Sequence, residues 1–122
     1  MVTKEYFSWE DFDRACEALA FQIRQSDRLL TAIYGEPRGG LVLAVKLSHL
    51  LDLPVIMEGA RPLPKSTLIV DDISDTGRTL FFMKREGYKI ATLHYVETSK
   101  VRPDFYASVR KADWVVYPWE KE

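Results

Sequence analysis

The chain has 122 residues, 47% hydrophobic and 29% charged, a balance ordinary for a soluble globular domain that excludes disorder and fibres. With 17 Lys and Arg against 18 Asp and Glu the net charge is −1, so no basic field directs the protein to nucleic acid. A lone Cys forbids an internal disulfide, no Cys/His cluster has zinc-ligand spacing, and neither a membrane span nor an apolar leader is visible; the expectation is a cytoplasmic protein with no membrane partner.

One domain spanning 1–122 is expected, since no linker, repeat or low-complexity tract interrupts the chain. Ser8 followed three residues later by Asp11 is a capping pair. Behind it Phe12, Cys16, Leu19, Ala20 and Ile23 recur at helical spacing, predicting a helix over 9–25 with Cys16 on its apolar stripe. An apolar run, Leu29 to Tyr34, leads into the turn Gly35-Glu36-Pro37-Arg38-Gly39-Gly40, and helical spacing resumes from Leu41 to Leu51, ahead of Pro54. Val55-Ile56-Met57 reads as a strand, and 58–66 as a loop. Thr67 to Val70 reads as a strand buried on both faces. A polar turn over 71–79 opens a short helix that Gly87 stops; strands follow over 89–96 and 114–117. Strands alternating with helices call for a parallel sheet with helices on its faces, whose ligands sit at the carboxyl ends of the strands. The turns 35–40 and 71–79 both leave from that end and are expected to face one crevice.

The chemistry concentrates in Leu68-Ile69-Val70-Asp71-Asp72-Ile73-Ser74-Asp75-Thr76-Gly77-Arg78-Thr79-Leu80. A buried strand delivers two adjacent carboxylates to its end, and a hydroxyl- and glycine-bearing turn then opens a helix. Backbone N–H groups at a helix N-terminus, with Ser and Thr hydroxyls, form a phosphate cradle that glycine lets an anion approach. Asp71 and Asp72 would repel a phosphate they faced, so they suit hydroxyls or a bridging cation, as on a sugar phosphate carrying Mg²⁺. Taken alone, Asp72 or Asp75 could equally cap the helix. No Walker loop and no dinucleotide fingerprint is present.

The whole segment resembles the signature for 5-phosphoribosyl-1-diphosphate (PRPP) in the type I phosphoribosyltransferases: an apolar strand, Asp-Asp, two residues, Asp-Thr-Gly, one residue, Thr. Pro37-Arg38-Gly39-Gly40 resembles the family's pyrophosphate loop, in which the peptide bond before the basic residue, here Pro37–Arg38, is in places cis. Arg102-Pro103-Asp104-Phe105-Tyr106 and Trp114-Val115-Val116-Tyr117-Pro118-Trp119-Glu120 resemble the purine branch, the xanthine–guanine and hypoxanthine–guanine enzymes. The resemblance implies a phosphoribosyltransferase-type, Rossmann-like α/β fold with a short C-terminal hood strand, and transfer of phosphoribose from PRPP to a purine base with release of pyrophosphate.

By resemblance Asp71, Asp72 and Asp75 are catalytic, the first two also holding Mg²⁺ directly or through water. Asp75, Thr76, Gly77, Arg78 and Thr79 hold the 5′-phosphate, and Arg38, Gly39 and Gly40 the pyrophosphate. Trp114, Val115, Ile73 and Lys100 contact the base, with Trp114 and Trp119 open to a reading as core or interface aromatics. The family also implies a homodimer or larger homo-oligomer. Two departures stand out. The family's long mobile loop over the site is reduced to 58–66, where Arg61 and Lys65 could touch pyrophosphate or merely be solvated. Val96 stands where the purine enzymes carry a base-reading lysine, leaving Lys100 as a donor or an exposed loop residue. His49 and His94 have no ligand or acid partner at useful spacing and are assigned no catalytic role. The alternatives are a non-catalytic PRPP or nucleotide sensor and transfer to another base.

Overall fold

The computed structural model describes residues 1–57 and 62–121. Helix α1 (Trp9–Gln25) starts on the expected cap: Ser8 accepts from the Asp11 amide, and the Asp11 carboxylate accepts from the Ser8 amide. Its stripe of Phe12, Cys16, Leu19, Ala20 and Ile23 is buried. Helix α2 (Gly39–Leu51) starts at the first residue of the Gly-Gly pair and ends three residues before Pro54, where Asp52 turns left-handed at φ 55° and its amide donates to the Ser48 carbonyl. Helix α3 (Arg78–Arg85) is stopped at Gly87, φ 96°.

Four parallel strands form the main sheet in the order β2 (Ala32–Gly35), β3 (Thr67–Ser74), β4 (Lys89–Tyr95), β5 (Phe105–Val109). Side chains alternate across it. Leu68, Val70, Ala91 and Leu93 join α1 and α2 in one core, while Ile69 and Ile90 join Leu80, Tyr88 and Val101 beneath α3 in another. Full burial of each Leu, Ile or Val side chain among these stabilises the fold by about 1.5–3 kcal/mol.

Three expectations are corrected. Val55–Met57 is not a strand: Val55 makes one parallel bridge to Ile33, with Ile33 N–H donating to the Pro54 carbonyl and Ile56 N–H to the Ile33 carbonyl, and pairing stops there. The strand expected over 67–70 continues to Ser74, because Asp71, Ile73 and Ser74 pair with Thr92, His94 and Tyr95 of β4. The third concerns two strands not expected from sequence. β5 closes the sheet edge, and β1 (Lys4–Tyr6) pairs in parallel with β6 (Trp114–Val116), the anticipated hood strand. Thr3 and Asp113 lock that pair at its edge, the carboxylate accepting from both the amide and the hydroxyl of Thr3.

Register positions the site. The β2–β3 ladder ends at Gly35 opposite Val70. β3 therefore loses its neighbour on one side just as it reaches Asp71 and Asp72, and the turn into α2 sits over the gap.

Of the loop 58–66, residues 58–61, with Arg61, lie outside the described residues. The rest is tied to the body: Leu63 is buried, the Tyr88 hydroxyl donates to its carbonyl at 2.5 Å, and Lys65 bonds the Glu86 carbonyl at 2.7 Å while covering the Tyr88 ring.

Candidate active site

Two turns meet across the end of β3. The Pro37–Arg38 bond is cis, as the resemblance implied. Arg38 is exposed and lines a cavity of about 780 Å³ together with Gly39, Asp71, Asp72 and, from the C-terminus, Trp119 and Glu120. Gly39 is demanded by close approach, since a Cβ there would overlap the Asp72 carboxylate. Gly40 is buried beneath the turn against the Val70 carbonyl and does not line this cavity.

On the other side, residues 71–80 wrap a cavity of about 230 Å³. Asp75, Thr76, Arg78 and Thr79 are exposed along it. Gly77 enters α3 at φ 83°, a left-handed conformation, with Val101 and Ser99 pressed behind it, so a larger residue would be both strained and crowded. The Lys100 amide donates to the Thr76 carbonyl, and Ser74 bonds the Val101 carbonyl, so the 99–101 loop braces this turn from below.

A third cavity, also about 230 Å³, opens between Ile73, Asp75, Trp114 and Val115. Trp114 lines this space and is 55% exposed, which sets aside its reading as a core aromatic. Trp119 is instead partly buried, stacked on Tyr117 with ring centroids 5.0 Å apart. Of the four residues expected around a base, the structure brings Ile73, Trp114 and Val115 together; Lys100 does not line this cavity. Arg110, Tyr117 and Glu120 do; Tyr117 and Glu120 belong to the C-terminal motif, which gives them no role of their own, and Arg110 lies in no motif. Arg110 follows a strand that itself went unread, so no local signal marked it.

Asp72 lines all three cavities. It and Asp71 share the strand end, the Asp72 amide donating to the Asp71 carboxylate at 2.8 Å. Burial, then the neighbouring Asp72 charge, pushes Asp71 up to about 8; burial also raises Asp72. Two carboxylates pressed toward neutrality in this way form a site that a divalent cation would re-ionise. Among the described residues no group of three or more His, Cys, Asp or Glu builds a metal cage. The pair therefore fits Mg²⁺ arriving with substrate oxygens, which that ion accepts alongside one or two carboxylates.

A buried chain of contacts supports the strand end. The Tyr117 hydroxyl, 2.8 Å from His94 Nδ1, donates to the Asp72 carbonyl at 3.2 Å, and Glu5 lies 3.8 Å from His94 Nε2. Burial lowers the His94 pKa and raises that of Tyr117, so both are held neutral.

Fold and site together define the class: an α/β protein with a polar crevice at the carboxyl end of a parallel sheet, the place such sheets keep for phosphorylated ligands. No family model matches the chain. A purine phosphoribosyltransferase from Pyrococcus horikoshii Ot3 is similar over 98% of this chain and 95% of its own, at 35% identity and a TM-score of 0.82. The chain belongs to the purine phosphoribosyltransferase family. A curated relative, the xanthine-guanine phosphoribosyltransferase of Desulfotalea psychrophila, is 26% identical over 94% of this chain and 85% of its own length. The Helicobacter pylori xanthine-guanine-hypoxanthine phosphoribosyltransferase shares the fold at a TM-score of 0.84 and 22% identity, over 98% of this chain and 93% of its own.

Proposed function

We propose that the protein transfers the 5-phosphoribosyl group of PRPP to a purine base, forming a nucleoside monophosphate and pyrophosphate in purine salvage. One observation carries this reading: three cavities converge on Asp72, as a ligand with a diphosphate arm, a monophosphate arm and a flat ring would require around its ribose.

In this reading the base nitrogen forms its bond to the anomeric carbon while the bond to the diphosphate oxygen breaks, the electron pair leaving with pyrophosphate. Positive charge grows on the ribose. Asp71 and Asp72 lie at the strand end, where ionised carboxylates hold the ribose hydroxyls and favour that charge. The same two carboxylates would hold Mg²⁺, which would supply charge neutralisation for the diphosphate. Arg38 and the Gly39 amide bind the leaving group. Thr76, Gly77, Arg78 and Thr79 anchor the 5′-phosphate and so orient the reacting carbon. Trp114 stacks on the base above Ile73 and Val115, and Asp75, at the edge of that cavity, takes the proton the base gives up.

The test is incubation with Mg²⁺, PRPP and a panel of bases, following nucleotide and pyrophosphate. Nucleotide from a purine supports the reading. Tight PRPP binding without turnover on any base would make the protein a sensor, and product with a non-purine acceptor would move it to another branch. The active form is taken to be a homodimer or larger homo-oligomer; sedimentation of a single 14.1 kDa species would overturn that.

A further inference from the structure

Apart from backbone amides and the indole N–H of Trp114, the cavity beside Trp114 has few side-chain donors free for a ligand. Asp72, Asp75 and Glu120 bring carboxylates to its wall, groups that when ionised only accept. The Tyr117 hydroxyl is already committed to the Asp72 carbonyl and His94, and the Trp114 amide to the Thr3 carbonyl. Among the described residues lining the cavity, Arg110 is the one cation.

Arg110 is well placed to act. Its backbone is pinned at the end of β5 by its amide, which donates a hydrogen bond to the Tyr95 carbonyl at 3.0 Å. Its side chain is only 19% exposed, and Nη1 lies 3.1 Å from Asp75 Oδ2. One edge of the guanidinium is thereby oriented, and the remaining N–H groups of its five are left to serve a ligand.

We propose that Arg110 selects the base: its guanidinium donates to a carbonyl oxygen of an oxopurine, and disfavours adenine, whose exocyclic amine would set donor against donor. This rests on the base-transfer reading above. A buried charged donor that meets an acceptor in one substrate and another donor in its competitor discriminates strongly between them.

The test compares the unaltered protein with Arg110→Met and Arg110→Lys. Two ratios are read: kcat/KM for hypoxanthine over adenine, and affinity for IMP over AMP by calorimetry. Each ratio is taken within one preparation, so partial loss of folded protein cancels. Arg110→Met is expected to lower both ratios about ten- to a hundredfold, and Arg110→Lys, which keeps a charged donor without the planar fork, to restore part of the loss. Equal losses toward hypoxanthine and adenine would reduce Arg110 to a support for Asp75 and overturn the proposal, as would a lysine variant that restores nothing. If the unaltered protein makes no nucleotide from any purine and binds neither IMP nor AMP, the base-transfer reading itself has failed, and the assignment of Arg110 falls with it.

Discussion

Asp71 and Asp72 are adjacent carboxylates whose proton affinities are raised chiefly by burial, Asp71 to about 8. A carboxyl whose pKa is higher folded than unfolded binds its proton more tightly in the folded state. It therefore favours folding at acid pH, and that contribution disappears as pH rises from 3.8 to about 8. Asp71→Asn is expected to stabilise the free protein by about 1–2 kcal/mol near pH 8 and to have little effect near pH 5, read by thermal unfolding at both. The same variant should bind Mg²⁺-PRPP at least about tenfold more weakly, since the charge that strains the empty site serves the filled one. Asp75 is a different case, exposed and paired with Arg110 at 3.1 Å. For Asp75→Asn, steady-state kinetics should show turnover down by about a hundredfold or more, with PRPP affinity nearly kept. Equal losses in both would contradict proton transfer at this position.

At the scale of elements, the site exists because β3 outlasts β2. Past Val70 the strand has only β4 beside it, and the Gly39 turn of α2 covers the vacated flank so closely that a Cβ on Gly39 would overlap the Asp72 carboxylate. Gly39→Ala must displace either the turn or the carboxylate, and overpacking of this kind costs about 1–3 kcal/mol. Calorimetry should show PRPP binding weakened, because both walls of the cavity proposed for the diphosphate move together. A variant that bound PRPP normally would show that this close approach is incidental.

Across the whole molecule, the two chain ends meet in the β1–β6 pair, and that hood reaches the strand end through Tyr117 and His94. Tyr117→Phe removes the donor to the Asp72 carbonyl and leaves His94 Nδ1 without its partner, at an expected cost of about 1–3 kcal/mol in chemical denaturation. His94 has a folded pKa below its usual 6.5, so its contribution is present above that value and is lost as pH falls below it. Asp71 and Asp72 act in the opposite direction over the same range, so the effect is read by comparison: on acidification from about pH 7 to about pH 5, His94→Gln, which cannot charge, should gain unfolding temperature relative to the unaltered protein.

Much of this was legible in the chain because it is written locally. The Ser8–Asp11 cap, the 3.6-residue stripe of α1 and the long acidic signature each lie within a short stretch whose periodicity or turn chemistry is set by immediate neighbours. The four-strand register, the pairing of β1 with β6 and the strand character of Phe105–Val109 were not, since a three-residue polar strand or a mixed edge strand has no pattern until its partner is present. Even the run Val55–Met57, which has strand-like residues, pairs only through Val55. The sequence by itself determined the acidic turn, the glycine turn and the presence of Trp114. Tertiary structure alone decided that the Lys100 amide braces the 71–80 turn while Arg110 lines the cavity beside Trp114. Which charge faces a ligand depends on where two separate strands end relative to each other, and that distance is not encoded in any contiguous segment.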